Sequence, residues 1–178
     1  MASVAHVAVG MVVGRLAWRP GVKPVLLMTA YTLASMLPDV DVVAFTLGIP
    51  YEAPFGHRGA SHSLLVAAVL GLLVLAVARA AGGDGRRAAL YTAGVVASHG
   101  LLDTLTDGGL GVALLWPFSD ARYFAPWRPI PVAPIGFDFL SPRGWHVAIT
   151  ECAYSAPLLL WSLWPRARQA ARGRSSGT

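Results

Sequence analysis

Residues 64–78 read LLVAAVLGLLVLAVA, an apolar run without a single charge, entered through Ser63 and closed by Arg79. A run of this length, rich in Leu and Ala and bounded by polar residues, reads as helix rather than strand. Four further apolar segments flank it: Ala2–Gly14, Val25–Leu37, Ala88–Leu102 and Val147–Trp164, with weaker stretches after Asp41 and around Gly109–Trp116. Crossing a bilayer untilted takes about 20 apolar residues, with about 17 as the lower limit. The third and fifth segments come near that standard. The first, second and fourth fall short, so they must borrow flanking residues, thin the bilayer or enter without crossing. Small residues at Ala67–Ala68, Gly71, Ala93–Gly94 and Ala97–Ser98 suit close helix packing in lipid. The expected fold is all-α: a multi-spanning membrane bundle of four to five helices.

Composition agrees. The 178 residues are 55% hydrophobic and 13% charged, against about 25% charged in ordinary soluble domains, and mean hydropathy is +0.56. The lone cysteine, Cys152, excludes an internal disulfide and a thiolate zinc site, so any metal must bind through nitrogen and oxygen. A net charge of +5 does not argue for direct nucleic-acid binding, because the basic residues fall in short clusters between apolar runs and at the tail. The start of the chain lacks the basic region of a cleavable signal and reads as part of the mature fold. Residues 1–165 read as one membrane-embedded helical domain. Residues 166–178 read as a basic, disordered cytoplasmic tail. Between Trp116 and Pro142, six prolines alternate with aromatics; prolines at that density break helices and aromatics favour the headgroup region, so this stretch reads as an ordered interfacial loop.

Threading the chain five times through a membrane sorts the charges. Arg15, Arg19 and Lys23, then Arg79, Arg86 and Arg87, then Arg166, Arg168, Arg172 and Arg174 fall on one side, ten of the fourteen basic residues. The positive-inside rule makes that side cytoplasmic. On the opposite side lie Asp39, Asp41, Glu52, His57, His62, Asp103, Asp107, Asp120, Asp138 and His146, with His6 and His99 near the same helix ends. All five histidines are therefore expected together, at the non-cytoplasmic face of the membrane.

Three motifs carry the chemistry. His99 and Asp103 are spaced i, i+4 on one helix face, where both can ligate one metal or the carboxylate can orient the imidazole; an ordinary helix-end hydrogen bond is the bland alternative. Leu37-Pro38-Asp39-Val40-Asp41 ends an apolar helix, where Pro38 should break or kink it and expose two carboxylates able to bind one cation or bridge two. A polar helix-ending turn would look the same. His57-Arg58-Gly59-Ala60-Ser61-His62-Ser63 holds two histidines about a glycine hinge, an arginine suited to a phosphate or carboxylate, and in Ser63 a cap for the next helix. His6 is a ligand or a hydrogen-bonded core histidine. His146 and Glu151 sit five apart, less neatly on one face, and Glu151 reads as a group behind the ligands, a general base or an interhelical hydrogen bonder.

On His6, Leu37-Pro38-Asp39-Val40-Asp41, His57 to Ser63, and Ser98-His99 with Asp103 and Thr106, residues 1 to about 110 resemble the YdjM-type family of membrane-bound metal-dependent hydrolases, also described as inner-membrane proteins that bind the LexA repressor. The order His, Asp, His, then HxxxD is more loosely similar to zinc-dependent phospholipase C, and that likeness implies His6, Asp39, His57, His99 and Asp103 as metal ligands. The later HxxxE of that pattern is missing, since Thr150 stands four after His146 and Glu151 one further; one or two ions are expected rather than three. The combined metal set is His6, Asp39, Asp41, His57, His62, His99 and Asp103. Zinc is the first choice, with manganese or iron also suited to such ligands. The resemblance implies hydrolysis of a phosphoester or lipid-linked small molecule by water activated at the metal, with Asp39 or Asp41 bridging or accepting the proton, Arg58 holding the substrate's anionic group and Glu151 in support. Two rivals are a non-catalytic, metal-stabilised membrane regulator that binds a cytoplasmic protein and a small transporter; a transporter's polar residues should recur near the midplane rather than at one face. A soluble, fully buried α-bundle is the structural alternative.

Overall fold

The computed structural model describes residues 3–134 and 136–165; the basic tail expected over 166–178 lies outside them. Among the described residues there is no strand, only isolated bridges at Thr106–Ile130 and Val112–Tyr123. The chain forms α1 (Ser3–Leu16), α2 (Pro24–Met36), a short α3 (Val43–Thr46), α4 (Leu64–Ala80), α5 (Arg86–Asp103) and α6 (Pro142–Leu163), with 3₁₀ turns at Leu37–Val42, Ala60–His62 and Gly136–Leu140.

Pro38 ends the α-helical geometry of the second helix, which stops at Met36, but not the helical run of the chain. It sits in the first turn of the Leu37–Val42 3₁₀ segment, where its missing N–H has no helical carbonyl to lose, and the chain tightens and runs on into α3. Pro24–Thr46 thereby becomes a 23-residue stretch, the one among the described residues long and apolar enough to cross a membrane. This reverses the order of merit expected from the sequence. The third segment ends as a 17-residue helix. The fifth has 22 residues, but Arg143, His146 and Glu151 dilute its apolar character.

Glycine and alanine set the packing. A Cβ on Gly10 would strike the Thr32 backbone, and one on Gly14 the Met28 backbone; two glycines four apart let α1 and α2 touch main chain to main chain. Gly71 plays the same part between α4 and α5, where a Cβ would lie 2.8 Å from the Ala89 carbonyl oxygen. Gly94, by contrast, faces open space. Helix α1 also packs on α6, and α5 contacts α1, α2 and α4. Arg15 fastens the far end of α6 by donating to the carbonyls of Ser162 at 2.8 Å and Trp164 at 2.6 Å, which satisfies orphan carbonyls of a helix C-terminus.

The usual inside and outside are partly exchanged. The central apolar cluster is small, built on Tyr31, Ala67, Val95 and Val96, while fourteen polar or charged residues among the described ones are buried and Leu26, Leu33, Leu72, Val77, Leu90 and Leu160 are more than 60% exposed. In water such exposed apolar faces would be unfavourable; against lipid they are the stable arrangement.

The loop from Thr104 to Pro134 is ordered by named bonds. Arg122 donates to the carbonyls of Tyr51 at 2.9 Å and His57 at 3.1 Å, and the Asp107 carboxylate accepts from Val132 N–H at 2.7 Å. Its aromatics Phe118 and Trp127, and Phe137 beyond it, point outward. Because α1, α2, α4 and α5 alternate in direction, the start of α1, the end of α2, the start of α4 and the end of α5 meet at one end of the bundle, beneath this loop.

Candidate metal centre

Each meeting helix end delivers donors. Asp39 comes from the 3₁₀ turn after α2, His62 from the turn before α4, and His99 and Asp103 from the last turns of α5, one helical turn apart on its buried face. Their ligating atoms converge. His62 Nε2 and His99 Nε2 are 3.1 Å apart; Asp39 Oδ1 lies 3.4 Å from His99 Nε2 and 3.7 Å from His62 Nε2; Asp103 Oδ2 lies 3.5 Å from His62 Nε2 and 4.0 Å from His99 Nε2. A tetrahedral zinc with ligands at about 2.0–2.1 Å needs donors about 3.3–3.4 Å apart. Asp39 with His99 at 3.4 Å and Asp103 with His62 at 3.5 Å come close to that spacing.

Hydrogen bonding points the same way. Both Asp39 oxygens are buried without any hydrogen bond, an expensive state for a carboxylate unless a cation satisfies it. His99 Nδ1 donates to the Ser35 carbonyl at 2.6 Å; a carbonyl can only accept, so the Nε2 lone pair faces the centre. His62 is oriented likewise by the Asp41 carboxylate, 3.1 Å from its Nδ1. Burial by itself would lower the His62 pKa, but the carboxylates of Asp103, Asp39 and Asp41 outweigh it and push it up to about 10. Without a metal, His62 thus carries a proton where the cation would sit. These buried His and Asp groups could hold a metal ion.

Asp39 and Asp41 do not act as a pair. In a 3₁₀ turn of three residues per turn, positions two apart project in different directions, and the two carboxylates embrace His62 from opposite sides. Asp41, His57 and His62 form a second group within reach of one ion, but this group is already satisfied. Asp41 accepts from His57 Nδ1 at 2.6 Å, from the Arg58 backbone N–H at 3.1 Å and from the Ser61 hydroxyl. Tyr51 packs edge-on against His57 with centroids 5.2 Å apart. His6 stands behind the centre, stacked on His99 at 3.7 Å with its Nε2 3.3 Å from Asp103 Oδ1.

Arg58 is completely buried. Its Nε lies 2.9 Å from Asp103 Oδ2, its Nη1 donates to Thr106 Oγ1 at 3.0 Å and to the Gly108 carbonyl at 3.1 Å, and its Nη2 has no hydrogen-bond partner. The left-handed residue of this turn is Arg58, with φ +59°, rather than Gly59. Gly59 serves instead to bring the backbone against the Pro54 carbonyl. Ser63 caps α4, accepting from Val66 N–H at 3.2 Å.

One expectation needs correction. Four histidines converge, not five: the buried face of α6 runs through Gly144, Val147, Glu151 and Ser155, which turns His146 outward. Glu151 lies outside both donor groups, buried, with Oε2 accepting the Val4 backbone N–H at 2.7 Å; this joins α6 to the start of α1 as an interhelical hydrogen bond, one of the three readings of this residue. Sequence reasoning missed the Ser35 carbonyl and Arg122. A backbone carbonyl carries no sequence signal, and Arg122 reads as one more loop arginine until Tyr51 and His57 fold beneath it.

The YdjM inner membrane protein family model matches residues 1–169. Inner membrane protein YbcI of Escherichia coli (strain K12) is 41% identical over 170 residues, covering 93% of this chain and 98% of that protein. No solved structure matches the chain. A match over the helices that carry the donors, together with a relative aligned over nearly its whole length, places this chain in the YdjM family of inner membrane proteins.

Proposed function

We propose that this protein is a membrane-bound metal-dependent hydrolase that cleaves a phosphoester at the non-cytoplasmic face of the inner membrane. The observation that carries the reading is the unsatisfied Asp39 carboxylate facing His62 Nε2 and His99 Nε2 at metal-ligand spacing. Asp39, His62 and His99 have the shortest mutual separations and would hold the ion. Two imidazoles with a carboxylate and no thiolate suit zinc, and manganese or iron next. A bound zinc would supply Lewis acidity enough to bring the pKa of water from about 15.7 to near 7.

Asp103 is the farther of the four donors and the one held by Arg58 Nε at 2.9 Å, so it would stand beside the ion as proton acceptor. Arg58 Nη2, buried without a partner, is a donor for a substrate's anionic oxygen. His6 and Asp41 orient Asp103 and His62. The satisfied hydrogen bonds of Asp41 and His57 support one ion rather than two. Glu151 serves as a strut between α1 and α6.

The five long helices cross the membrane with the N-terminus outside, residues 1–165 form one embedded domain, and the connectors rich in arginine lie in the cytoplasm. The exposed apolar faces support this, as do α4, α5 and α6, whose 17, 18 and 22 residues give about 26, 27 and 33 Å at 1.5 Å per residue. Phe118 and Trp127 sit at the headgroup level.

A second reading has its own observation. Asp103 Oδ2 lies 3.5 Å from His62 Nε2, near enough to be a fourth ligand, and four protein ligands without an open position make a structural site. The protein would then be a non-catalytic regulator whose metal pins the helices while a cytoplasmic protein docks on the basic side. Metal content and hydrolysis of bis(4-nitrophenyl) phosphate, measured on wild type, His99→Ala and Asp103→Asn, separate the two. The hydrolase reading expects His99→Ala to lose metal and turnover together, and Asp103→Asn to keep metal and lose turnover. Loss of metal in Asp103→Asn with no turnover in wild type would support the regulator.

A further inference from the structure

At the basic end of the bundle, α2, α5 and the α1–α2 connector border a pocket of about 150 Å³. Leu27 and Tyr31 reach it from α2, and Arg87 and Tyr91 from α5, each pair four residues apart and so on one helix face. Arg19 reaches it from the connector. Tyr31 and Tyr91 meet edge to face with centroids 6.1 Å apart, which fixes both rings in the wall. Tyr31 is 8% exposed, and among the described residues nothing hydrogen-bonds its hydroxyl. No carboxylate lines the pocket.

The charges around it are unbalanced. Asp84 is the one acidic residue of the basic side, and Arg79 and Arg86 share it, each at 3.4 Å. Arg15 is engaged by the carbonyls at the end of α6. Arg19 and Arg87 have no carboxylate partner among the described residues. Arg87 makes one long hydrogen bond, from Nη2 to the Tyr91 hydroxyl at 3.4 Å, and a guanidinium has five N–H groups to give. Arg87 also stands in the first turn of α5, which holds neither an acidic residue nor a side-chain cap. The positive end of a helix dipole disfavours a cation and favours an anion. Two guanidiniums and two phenolic hydroxyls thus face a cavity to which the chain supplies no negative charge.

The geometry points to a phosphate-binding site in this pocket, formed by Arg19, Arg87, Tyr31 and Tyr91, that holds the group without cleaving it. A phosphate spreads its acceptor oxygens over a tetrahedron, which suits donors arriving from three separate segments of the chain; a carboxylate presents two in a plane. The volume is about half that of the smallest usual pocket for a drug-sized ligand, about 300 Å³, so one such group fills it. No histidine or carboxylate lines it, and the metal centre is remote: α5 runs from Arg87 to His99, about 18 Å at 1.5 Å per residue. The inference is therefore independent of the hydrolase reading. The phosphate belongs to a lipid head group of the adjacent leaflet, which basic pockets between transmembrane helices hold, or to a free phosphorylated solute.

The test uses the full chain. Equilibrium dialysis of protein in dodecyl maltoside against radiolabelled inorganic phosphate, with ionic strength held constant by chloride, reads the free source. Native mass spectrometry of protein released from phosphatidylcholine–phosphatidylglycerol nanodiscs reads the lipid source, as phosphatidylglycerol adducts in excess over phosphatidylcholine. One bound phosphate per chain is expected in at least one arm, and the arm in which it appears names the source. Arg87→Gln and Arg19→Gln should each weaken it by roughly tenfold or more, the loss of a hydrogen bond to a charged group, and Tyr31→Phe by less. Arg86→Gln, whose charge Asp84 already meets, should leave it unchanged. The three arginines are exposed, and the apparent melting temperature without phosphate checks each variant's fold. Should Arg87→Gln fail to fold, Arg87→Lys, which keeps the charge and loses the fork, takes its place. Retention in neither arm, or binding that Arg87→Gln, Arg19→Gln and Tyr31→Phe leave intact, overturns the inference. An equal loss in Arg86→Gln also overturns it, because that is the mark of diffuse charge attraction.

Discussion

The Nε2 atoms of His62 and His99 stand 3.1 Å apart while their Nδ1 atoms are held from behind, one by the Asp41 carboxylate and the other by the Ser35 carbonyl. Two imidazoles pinned at the rear and turned face to face can share a proton or a metal, and little else. The same arrangement explains why Asp39, opposite them, is left without a hydrogen bond.

The carboxylate behind His62 is therefore expected to tune metal affinity without contributing a ligand. Asp41→Asn should keep the fold and weaken zinc binding about 10- to 100-fold, the usual loss when such a partner of a ligating histidine is removed. Competition against a chromogenic chelator measures it. Asp39→Ala, which removes a ligand, should abolish stoichiometric zinc.

Metal uptake should follow pH with a defined sign. Metal-free His62 has a pKa pushed up to about 10 from 6.5, so at neutral pH zinc must displace its proton. Calorimetry in buffers of different ionisation enthalpy should find about one proton released per ion, with affinity rising roughly tenfold per pH unit between pH 7 and 9. The metal-free fold should move the other way. A raised pKa stabilises the folded state fully below the unfolded value of 6.5, and that stabilisation drains away as pH rises through about 10.

Arg58 and Asp103 form a buried ion pair at 2.9 Å. Removing one partner strands the other charge, a loss of about 3–5 kcal/mol in buried pairs. Arg58→Ala should lower the unfolding free energy in detergent by that order. Arg58→Lys keeps the charge but loses the fork that also binds Thr106 and Gly108, and should fall between it and wild type.

Gly10 carries α1 against α2. Gly10→Leu would push its side chain into the Thr32 backbone, and overpacking of this kind costs about 1–3 kcal/mol or more. The apparent melting temperature should fall, and because His6 rides on α1, zinc content should fall with it. Gly94→Leu, on the open side of α5, should do neither.

Topology has its own measurement. In a Cys152→Ser background, a membrane-impermeant maleimide should label Phe118→Cys in cells whose outer membrane alone is opened. Gly83→Cys, in the α4–α5 connector, should react only after the inner membrane is breached. The reverse pattern would put the centre on the cytoplasmic side.

The sequence by itself determined the helices and which of their ends carry the chemistry. Apolar runs bounded by charge fix both, and the 3.6-residue period sets His99 and Asp103 on one face. It also ranked His57-Arg58-Gly59-Ala60-Ser61-His62 above any single histidine. What it left open was which donors share a centre. Asp39 and Asp41 look equivalent in the chain, and a 3₁₀ turn sends them to opposite sides of His62. Arg58 reads only as an anchor for a phosphate or carboxylate until α5 brings Asp103 beside it, and His146 reads as one of five gathered histidines until Val147 and Glu151 claim the buried face of α6. The physical reason is common to all three: local periodicity fixes which way a side chain leaves its own helix, but the partner it meets is set by how separate helices pack, here through Gly10, Gly14 and Gly71, where the lack of a side chain lets backbones touch.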